Sequence, residues 1–422
     1  MRSKFYIGLT AISIIFVAAL FMTATLALAQ EKILHSFNPT NGDGQLPNAG
    51  LIFDATGNLY GLTGSGGAYS YYGAVFELSS AVGGGWTETL LHSFNNNDGN
   101  NPAGTLIFDA VGNLYGTTAQ GGPHGGGVVF ELAPETGGGW TFSILHAFGN
   151  GHDASYPLSA LTSDSAGNLF GTTWIGGEYG LGTVFELSPA AGGGWTEKVL
   201  HSFGNGNDGQ NPISAVILDA AGNLYGTTNG GAGTTLYGTV FELSPTAGGL
   251  WQEKIVHAFK NNGKDGMGPV GSLILDAAGN LYGTTEIGGS CENCFVAAGT
   301  VFELLPKAGG SWTEEILHNF NPNGVDGQEP NAGLIFDSAG NLYGTTSGGG
   351  AHGNSGSGGI VFQLKPAAGG GFTERILHSF GAGTDGNIPG WSNLIFDASG
   401  NLYGTTKTGG TNDAGTVYKI TP

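Results

Sequence analysis

Histidine recurs at one position along the chain, always in the context L-H-x-F or V-H-x-F. Such a histidine could act as a metal ligand or as a general base. Several identical copies of a catalytic residue have no use in one active site, so we expect buried, hydrogen-bonded structural histidines instead. The copies are His35, His92, His146, His201, His257, His318 and His378.

A second set of candidate ligands lies in short loops in which Asp precedes Gly. Asn41-Gly-Asp43-Gly44 and Asn95-Asn-Asn-Asp98-Gly99 resemble fragments of calcium loops. Calcium prefers about six to eight oxygen ligands, usually from several carboxylates. Each of these loops carries a single carboxylate. We therefore predict Asp-Gly turns and no metal or cofactor, with calcium as the alternative.

The two cysteines of the chain form the motif Cys291-Glu-Asn-Cys294. In an exported protein, a local disulfide between Cys291 and Cys294 is the expected state. A redox motif would require a βαβ context, and a zinc site would require two further ligands. The sequence around the motif offers neither.

These residues sit in a repeated unit, marked by the phrase D-x-x-G-N-L-[YF]-G. Its Asn falls at positions 58, 113, 168, 223, 280, 341 and 401, so the period is 55 to 61 residues. Self-similarity at such a period indicates a solenoid, an array or a propeller. Any site therefore lies within this repeated architecture.

Each unit reads as four short strands. In the fourth unit these are Ala215 to Asp219, Asn223 to Thr228, Gly238 to Ser244 and Trp251 to Phe259. The runs are rich in β-branched and aromatic residues and are bounded by Gly, Pro, Asn and Asp, which is a strand signature. The chain is therefore predicted to be all-β.

The two ends of the chain complement each other. Glu31 to Phe37 matches a fourth strand, whereas the chain stops at Gly415 to Thr421, which matches a third strand. Pairing them leaves no long unpaired edge, and such edges promote aggregation. A solenoid would instead need capping elements. We predict a seven-bladed β-propeller of four-stranded blades, closed by the N-terminal strand, which completes the last blade.

The N-terminus has the pattern of an export signal. Arg2 and Lys4 precede an apolar stretch from Phe5 to Leu28, and Ala27-Leu28-Ala29 offers a cleavage site. The predicted domains are a signal peptide over 1–29 and a single propeller over 30–422. The stretch is long enough to span a bilayer, so an uncleaved anchor is the alternative. The mature protein is expected to be secreted, periplasmic or cell-surface, and not membrane-embedded.

The chain is acidic, with 32 Asp and Glu against 12 Lys and Arg and a net charge of −20. Such a field repels phosphate backbones, so we expect no nucleic-acid partner. Most of the acids occupy recurring positions, where turn chemistry explains them. In Asp219-Ala-Ala-Gly-Asn223, for example, Asp219 can accept bonds from backbone amides, and Gly222 and Asn223 tolerate positive φ. A monomer is expected.

The full unit, L-H-S-F, then D-G, P-x-A-G-L-I-F-D-x-x-G-N-L-Y-G-T-T and G-T-V-F-E-L, resembles the GloVer (Gloeo/Verruco) tandem repeat of exported bacterial proteins. The resemblance covers residues 31 to 422. More distantly, D-x-x-G-N-L-Y is similar to the first hairpin of NHL and SMP-30-like propellers. The family implies export and a repeat architecture, and it supplies no catalytic residue.

We expect binding residues in the loops that differ most from one repeat to the next. The loops between second and third strands vary most and, with nearby loops, carry aromatic residues. Aromatic side chains among small polar neighbours suit stacking on sugars or gripping a peptide. The alternative is that they simply cover the blade tops. The candidate ligand-binding residues are Tyr69, Tyr71, Tyr72, His124, Tyr156, Trp174, Tyr179, Tyr237 and Trp391.

Two function classes remain. The first is a non-catalytic binding or scaffold module for an extracellular polysaccharide or cell-surface protein. The second is a propeller hydrolase or lyase of lactonase type, with a metal at the channel mouth. The residues that enter the first strands are small or apolar, and irregular acids are scattered, which favours the first class. The entering residues are Ala49, Gly104, Ser159, Ser214, Gly271, Ala332 and Ser392.

Overall fold

A computed structural model describes residues 29–151, 153–206, 208–231, 237–290, 298–391 and 393–422. Nearly all of the predicted signal segment and the predicted disulfide between Cys291 and Cys294 lie outside these ranges. Within them, no helix has the length and apolar character needed to cross a membrane. The helical element among the described residues is a single 3-10 turn, Pro39–Asn41.

Seven sheets of four antiparallel strands form a closed ring, which confirms the predicted seven-bladed propeller. We number the blades 1 to 7 in chain order and the strands of each blade from the channel outward. The first strands are Ile52–Phe53, Asn100–Phe108, Thr162–Ser163, Ile217–Leu218, Ile274–Leu275, Ile335–Phe336 and Ile395–Phe396. The second strands are Leu59–Thr63, Leu114–Gln120, Leu169–Thr173, Leu224–Thr228, Leu281–Thr285, Leu342–Thr345 and Leu402–Thr406.

The outer half of each blade is longer. The third strands are Ala74–Ser80, Val128–Pro134, Thr183–Pro189, Thr239–Pro245, Thr300–Pro306, Ile360–Pro366 and Thr416–Thr421. The fourth strands are Trp86–Ser93, Trp140–Ala147, Trp195–Ser202, Trp251–Ala258, Trp312–Asn319, Phe372–Ser379 and Gln30–Ser36. Two-residue ladders join Gly44–Gln45 to Ser65–Gly66, Gly266–Met267 to Ile287–Gly288, Gly327–Gln328 to Gly348–Gly349, and Gly386–Asn387 to Thr408–Gly409.

The first strand of blade 4 is shorter than the sequence predicts. In blade 4 the prediction was Ala215 to Asp219, whereas only Ile217–Leu218 pairs with the second strand. Ala215 donates its backbone N–H to the Ser272 hydroxyl of the next blade, at 3.2 Å, instead of to a neighbouring strand. Because these residues face the channel, they link blades and leave the ladder early.

The N-terminal strand closes the ring as predicted. Gln30–Ser36 pairs antiparallel with Thr416–Thr421, from Gln30 opposite Thr421 to Ser36 opposite Thr416. The Thr405 hydroxyl of blade 7 also donates to the Ala49 carbonyl of blade 1, at 3.1 Å. Blades 7 and 1 are therefore joined both at the outer edge and at the channel.

The first hairpin of each blade is held by its aspartate. Asp219 accepts the backbone N–H groups of Ala221 and Asn223, both at 2.8 Å, and the Asn223 side-chain amide at 2.8 Å. Gly222 has φ +87°, whereas Asn223 keeps a negative φ and contributes through its side chain instead. The turn chemistry predicted for the repeated aspartates is therefore present. In the equivalent hairpin of blade 1, backbone and side-chain hydrogen bonds outweigh burial and lower the pKa of Asp54.

The core repeats one aromatic contact between blades. Phe203, which follows the fourth strand of blade 3, packs on Phe241 of blade 4 with ring centroids 5.0 Å apart. Phe241 is fully buried and lies over Gly226, where an added Cβ would fall 2.5 Å from the ring. The phrase L-Y-G-T therefore needs glycine because the neighbouring strand places a phenyl ring there. Blade 7 carries Tyr418 at the position of Phe241.

Candidate functional site

The loops between second and third strands share one face with the connections between blades, because strand direction alternates within each sheet. We call this the mouth face. Its loops are joined across blades: Asn211 of blade 4 donates its N–H to the Leu181 carbonyl of blade 3, at 2.7 Å. Asn211 in turn accepts from Asn229 of its own blade, at 3.2 Å. The face is therefore a connected surface rather than a set of independent loops.

A cavity of about 240 Å³ lies where the channel opens on this face. We call it the mouth cavity. Its wall includes the small residues that the sequence placed at the entry to the first strands: Ala49, Gly104, Ser159, Ser214, Gly271 and Ala332. Larger side chains contribute to the same lining: Asn48, Asn101, Asn331, Asn393, Trp391 and Lys407. The small residues therefore leave open space at the channel mouth, and a few polar and aromatic side chains line that space.

Second-strand threonines fix the size of this opening. The Thr172 hydroxyl of blade 3 donates to the Ser214 carbonyl of blade 4 at 2.9 Å. The Thr284 hydroxyl of blade 5 donates to the Ala332 carbonyl of blade 6 at the same distance. Because these bonds tie neighbouring blades together at the channel wall, the cavity is preorganised by the ring itself.

Two amide side chains of the lining have an unused polar end. Asn331 is 6% exposed, and its amide nitrogen donates to the Ser347 hydroxyl at 3.0 Å. Within the described residues, its Oδ1 and that of Asn48 are buried and have no hydrogen-bond partner. An unpaired buried polar group costs about 1–3 kcal/mol.

A backbone position with positive φ recurs in the loops around the mouth. The residue before the recurring proline has positive φ in every blade, including Tyr156 at 61° and Ile388 at 61°. Positive φ costs a non-glycine residue about 1 kcal/mol or more, so surrounding bonds must hold it. Trp174 donates to the Tyr156 carbonyl at 3.0 Å, and Lys407 donates to the Ile388 carbonyl at 3.1 Å. These positive φ values were not predicted from the sequence, although the proline that follows each of these residues recurs in every unit.

The sequence-predicted aromatics fall into three settings. Trp391 lines the mouth cavity and is 45% exposed. Tyr156 and Trp174 meet edge to face on the same side of the ring, with centroids 6.1 Å apart, and Trp174 is exposed. The remaining candidates are outside the lining of the cavity. Tyr69, Tyr71, His124 and Tyr179 are exposed, whereas Tyr72 and Tyr237 pack against the core between blades. Their binding roles stay predictions.

Two irregular acids, treated as scattered in the sequence, act on each other in the structure. Glu286 of blade 5 and Glu329 of blade 6 both lie on loops of the mouth face. Burial, and then the charge of Glu329, raise the pKa of Glu286, against a hydrogen bond from Asn331. Glu329 also accepts from the Ser355 hydroxyl at 2.5 Å. The side of the mouth near blades 5 and 6 is therefore acidic.

A second recurring cluster lies between the outer strands of neighbouring blades. At the junction of blades 7 and 1, His35 contacts Asp43 at 3.2 Å, and Glu88 lies beside Asp43. Asp43 also accepts the backbone N–H of Asn38 at 2.9 Å. The other junctions of this kind pair His146 with Asp153 and Glu197, His201 with Asp208 and Glu253, His257 with Asp265 and Glu314, His318 with Asp326 and Glu374, and His378 with Asp385 and Glu31.

Four of the recurring histidines, His35, His146, His201 and His378, hydrogen-bond the neighbouring aspartate through Nε2. His92, His257 and His318 contact their aspartates at 3.2 to 3.5 Å without such a bond among the described residues. All seven are partly buried, and their structural role stays a prediction. Five of the clusters bring their ligand-type atoms within 4.8 Å of one another. Calcium stays the alternative prediction for the Asp-Gly loops, whose carboxylates already accept backbone and histidine donors.

Burial raises the pKa of the glutamate in each of these clusters above its ordinary value. Burial and the neighbouring Asp43 carboxylate raise the pKa of Glu88 to about 9. Burial and Asp265 raise the pKa of Glu314 to about 8. In all six clusters the glutamate Oε1 is buried and has no hydrogen-bond partner among the described residues, although Glu314 and Glu374 contact His257 and His318 at 3.6 and 3.7 Å. A protonated carboxyl beside a carboxylate explains this arrangement, because its proton can be shared between the two groups.

Fold and site together define a propeller repeat protein with a small polar cavity at its channel mouth. The chain belongs to the Gloeobacter/Verrucomicrobia repeat family, whose model matches residues 19–165, 138–310 and 291–422. The resemblance found in the sequence is thereby confirmed. Among curated proteins, none matches this chain.

Solved structures share the fold at low sequence identity. PorZ of Porphyromonas gingivalis, a surface component of the type-IX secretion system, matches 88% of this chain at 15% identity, with a TM-score of 0.51. The extracellular domain of a proposed one-component system from B. thetaiotaomicron matches 92% of it at 13% identity, with a TM-score of 0.53. This chain covers 46% and 42% of those chains, respectively.

Proposed function

We propose that this protein is an exported, non-catalytic binding or scaffold module that recognises a glycan or a protein outside the cell through its mouth face. The observation that carries the proposal is the exposed Trp391 beside a preorganised polar cavity. An exposed tryptophan at a concave, partly dry site is a common anchor for ligands. Trp174 and Tyr156 extend the aromatic surface around the opening.

Export is supported by the sequence pattern of the N-terminus and by the two structural neighbours, which are a surface component and an extracellular domain. The proposed location is secreted, periplasmic or cell-surface.

A glycan array and a pull-down from envelope material test the proposal. Trp391→Ala and Trp174→Ala should each weaken capture of the ligand at least about tenfold, as anchors at an interface do. Both should leave the melting temperature almost unchanged, because the side chains are exposed. Leu250→Ala is the matched control, since Leu250 is 69% exposed in the turn between third and fourth strands, on the opposite face. Unaltered binding by both tryptophan variants would overturn the proposal.

The lactonase-like alternative needs a metal held by acidic and amide ligands at the channel mouth. The described lining of the mouth cavity supplies amides but no carboxylate. Glu286 and Glu329 are the nearest irregular acids, on the loops of blades 5 and 6. Elemental analysis of purified protein, with Glu286→Gln as the paired variant, separates the classes: a stoichiometric metal lost in Glu286→Gln would favour the enzyme.

A further inference from the structure

Lys407 places a free positive charge at the mouth of an acidic protein. Among the described residues that line the cavity, it carries the one charged side chain. Its ammonium makes no ion pair or side-chain hydrogen bond within the described part of the chain. The whole chain has a net charge of −20, so a positive site at the mouth differs in sign from the net charge of the protein around it. An unpaired ammonium beside a cavity favours an anionic group of a ligand.

Trp391 supplies a flat apolar surface at the same opening. Its ring is 45% exposed, lies in the lining and has no aromatic partner among the described residues. Blade 7 reaches its first strand with one residue more than the other blades, between Pro389 and Leu394, and Trp391 lies within that longer loop. Both Trp391 and Lys407 therefore belong to blade 7, where the repeat departs from its own pattern.

The amide side chains of the lining favour a ligand that carries hydroxyl groups. Asn48 of blade 1 and Asn331 of blade 6, on either side of blade 7, line the cavity with amide side chains. An amide group offers both a donor and an acceptor. Hydroxyls can both donate and accept, so they suit either orientation.

We propose that the mouth cavity binds one sugar residue that carries a carboxylate, such as a hexuronic acid. Its carboxylate pairs with Lys407 and its ring face lies on Trp391. Its hydroxyls reach the amides of Asn48 and Asn331. The carboxylate is directed toward blade 7 and away from Glu286, on the acidic side of the mouth.

The size of the cavity limits the ligand to a single residue. Its volume of about 240 Å³ lies below the range of about 300–1,000 Å³ of typical small-molecule sites. A chain end therefore enters while the rest of the glycan stays outside, near the exposed aromatics. This inference rests on the proposed function and narrows it to an acidic glycan.

The test compares D-glucuronic acid with D-glucose, which differ only in the carboxylate, by calorimetric titration of the full mature protein. We expect the wild type to prefer glucuronic acid by at least about tenfold, the size of one charge-assisted contact. Lys407→Met should reduce this preference to less than about twofold without changing glucose binding. Lys407→Arg should restore most of it. Trp391→Ala should weaken both sugars, and Leu250→Ala neither.

The results separate this inference from the proposed function. Equal affinity of the wild type for the two sugars, or an unchanged preference in Lys407→Met, would overturn the acidic-sugar subsite, while glycan capture through Trp174 would leave the binding module intact. Binding of a peptide C-terminus that depends on Lys407, with no binding of glucuronic acid, would also overturn it. If the wild-type protein captures no glycan and no protein through its mouth face, the proposed function is rejected as well.

Discussion

Phe142 lies flat against His92, with ring centroids 4.1 Å apart and planes 7° apart. The other six blade junctions place a glutamate where Phe142 stands, next to the recurring aspartate and histidine. A neutral aromatic ring substitutes for that glutamate at one junction. This substitution agrees with the raised pKa values of the glutamates, because both side chains present an uncharged surface to the partly buried histidine.

Phe142→Glu should create a seventh carboxyl pair, with Asp98. We expect a loss of about 1–3 kcal/mol at pH 5.5 from the lost ring contacts, and a further loss at pH 9, where the new glutamate ionises beside Asp98. Phe142→Gln is the matched control because it lacks the charge. Thermal unfolding at both pH values measures the effect, and identical pH profiles for the two variants would contradict it.

The wild-type protein should lose stability as the solution becomes alkaline. Burial and nearby aspartates raise the pKa of Glu31, Glu253 and Glu374 to about 7, and those of Glu314 and Glu88 to about 8 and 9. A group with a raised pKa holds more protons when folded. Its contribution is therefore complete below about pH 4.5 and is lost as pH rises through 7 to 9. We expect the melting temperature to fall by on the order of 5 °C between pH 6 and pH 9.

Glu88→Gln should flatten part of this alkaline decline, because the amide keeps the shape of the carboxyl group and cannot ionise beside Asp43. Glu135→Gln serves as the control, since Glu135 is exposed and its side chain accepts a hydrogen bond from the Thr141 hydroxyl. Melting curves from pH 5 to pH 9.5 make the comparison. An alkaline decline in Glu88→Gln equal to that of Glu135→Gln would show that Glu88 is not a titrating group of the fold.

Tyr418→Phe should stabilise the protein. Tyr418 is fully buried, its hydroxyl has no partner among the described residues, and blades 1 to 6 carry phenylalanine at this position. Removing an unpaired buried hydroxyl should add about 1 kcal/mol. Phe241→Tyr is the reciprocal variant and should destabilise by a similar amount. Chemical denaturation measures both, and a lower stability of Tyr418→Phe would contradict the expectation.

Removing residues 30–37 should expose the edge of Thr416–Thr421. We expect aggregation or loss of cooperative unfolding, because a long unpaired edge strand templates association with other chains. A synthetic peptide of residues 29–38, added in trans, should restore the monomeric fraction in light scattering. Cooperative unfolding of the truncated protein at an unaltered temperature would show that the strand is not needed for closure.

Much of the fold could be predicted because its evidence is local and repeated. The recurring Asp219-type turn, the alternating strands and the matched ends each follow from short stretches of sequence, and copying them seven times removes ambiguity. The first strand of blade 4 was predicted too long because Ala215 bonds to Ser272 of the next blade, a partner that no local pattern reveals.

The site was less accessible from the sequence. Trp391 could be identified because it lies in a loop that departs from the repeat. Lys407 and Asn331 carry no such local signal, because only the fold brings them to the same opening. Similarly, Glu286 and Glu329 look scattered in the sequence, and Glu88 gives no hint of Asp43. Glu286 and Glu329 lie on different blades, and Asp43 and Glu88 are far apart in the sequence.

The sequence by itself determined the number of blades, the strand order within them and the strand that closes the ring, because periodicity and edge pairing are properties of the chain. The tertiary structure alone decided which side chains meet between blades and at the mouth. Ring closure brings together residues as far apart as Ala49 and Thr405, and only that closure sets the distances and burial on which charge, proton sharing and ligand binding depend.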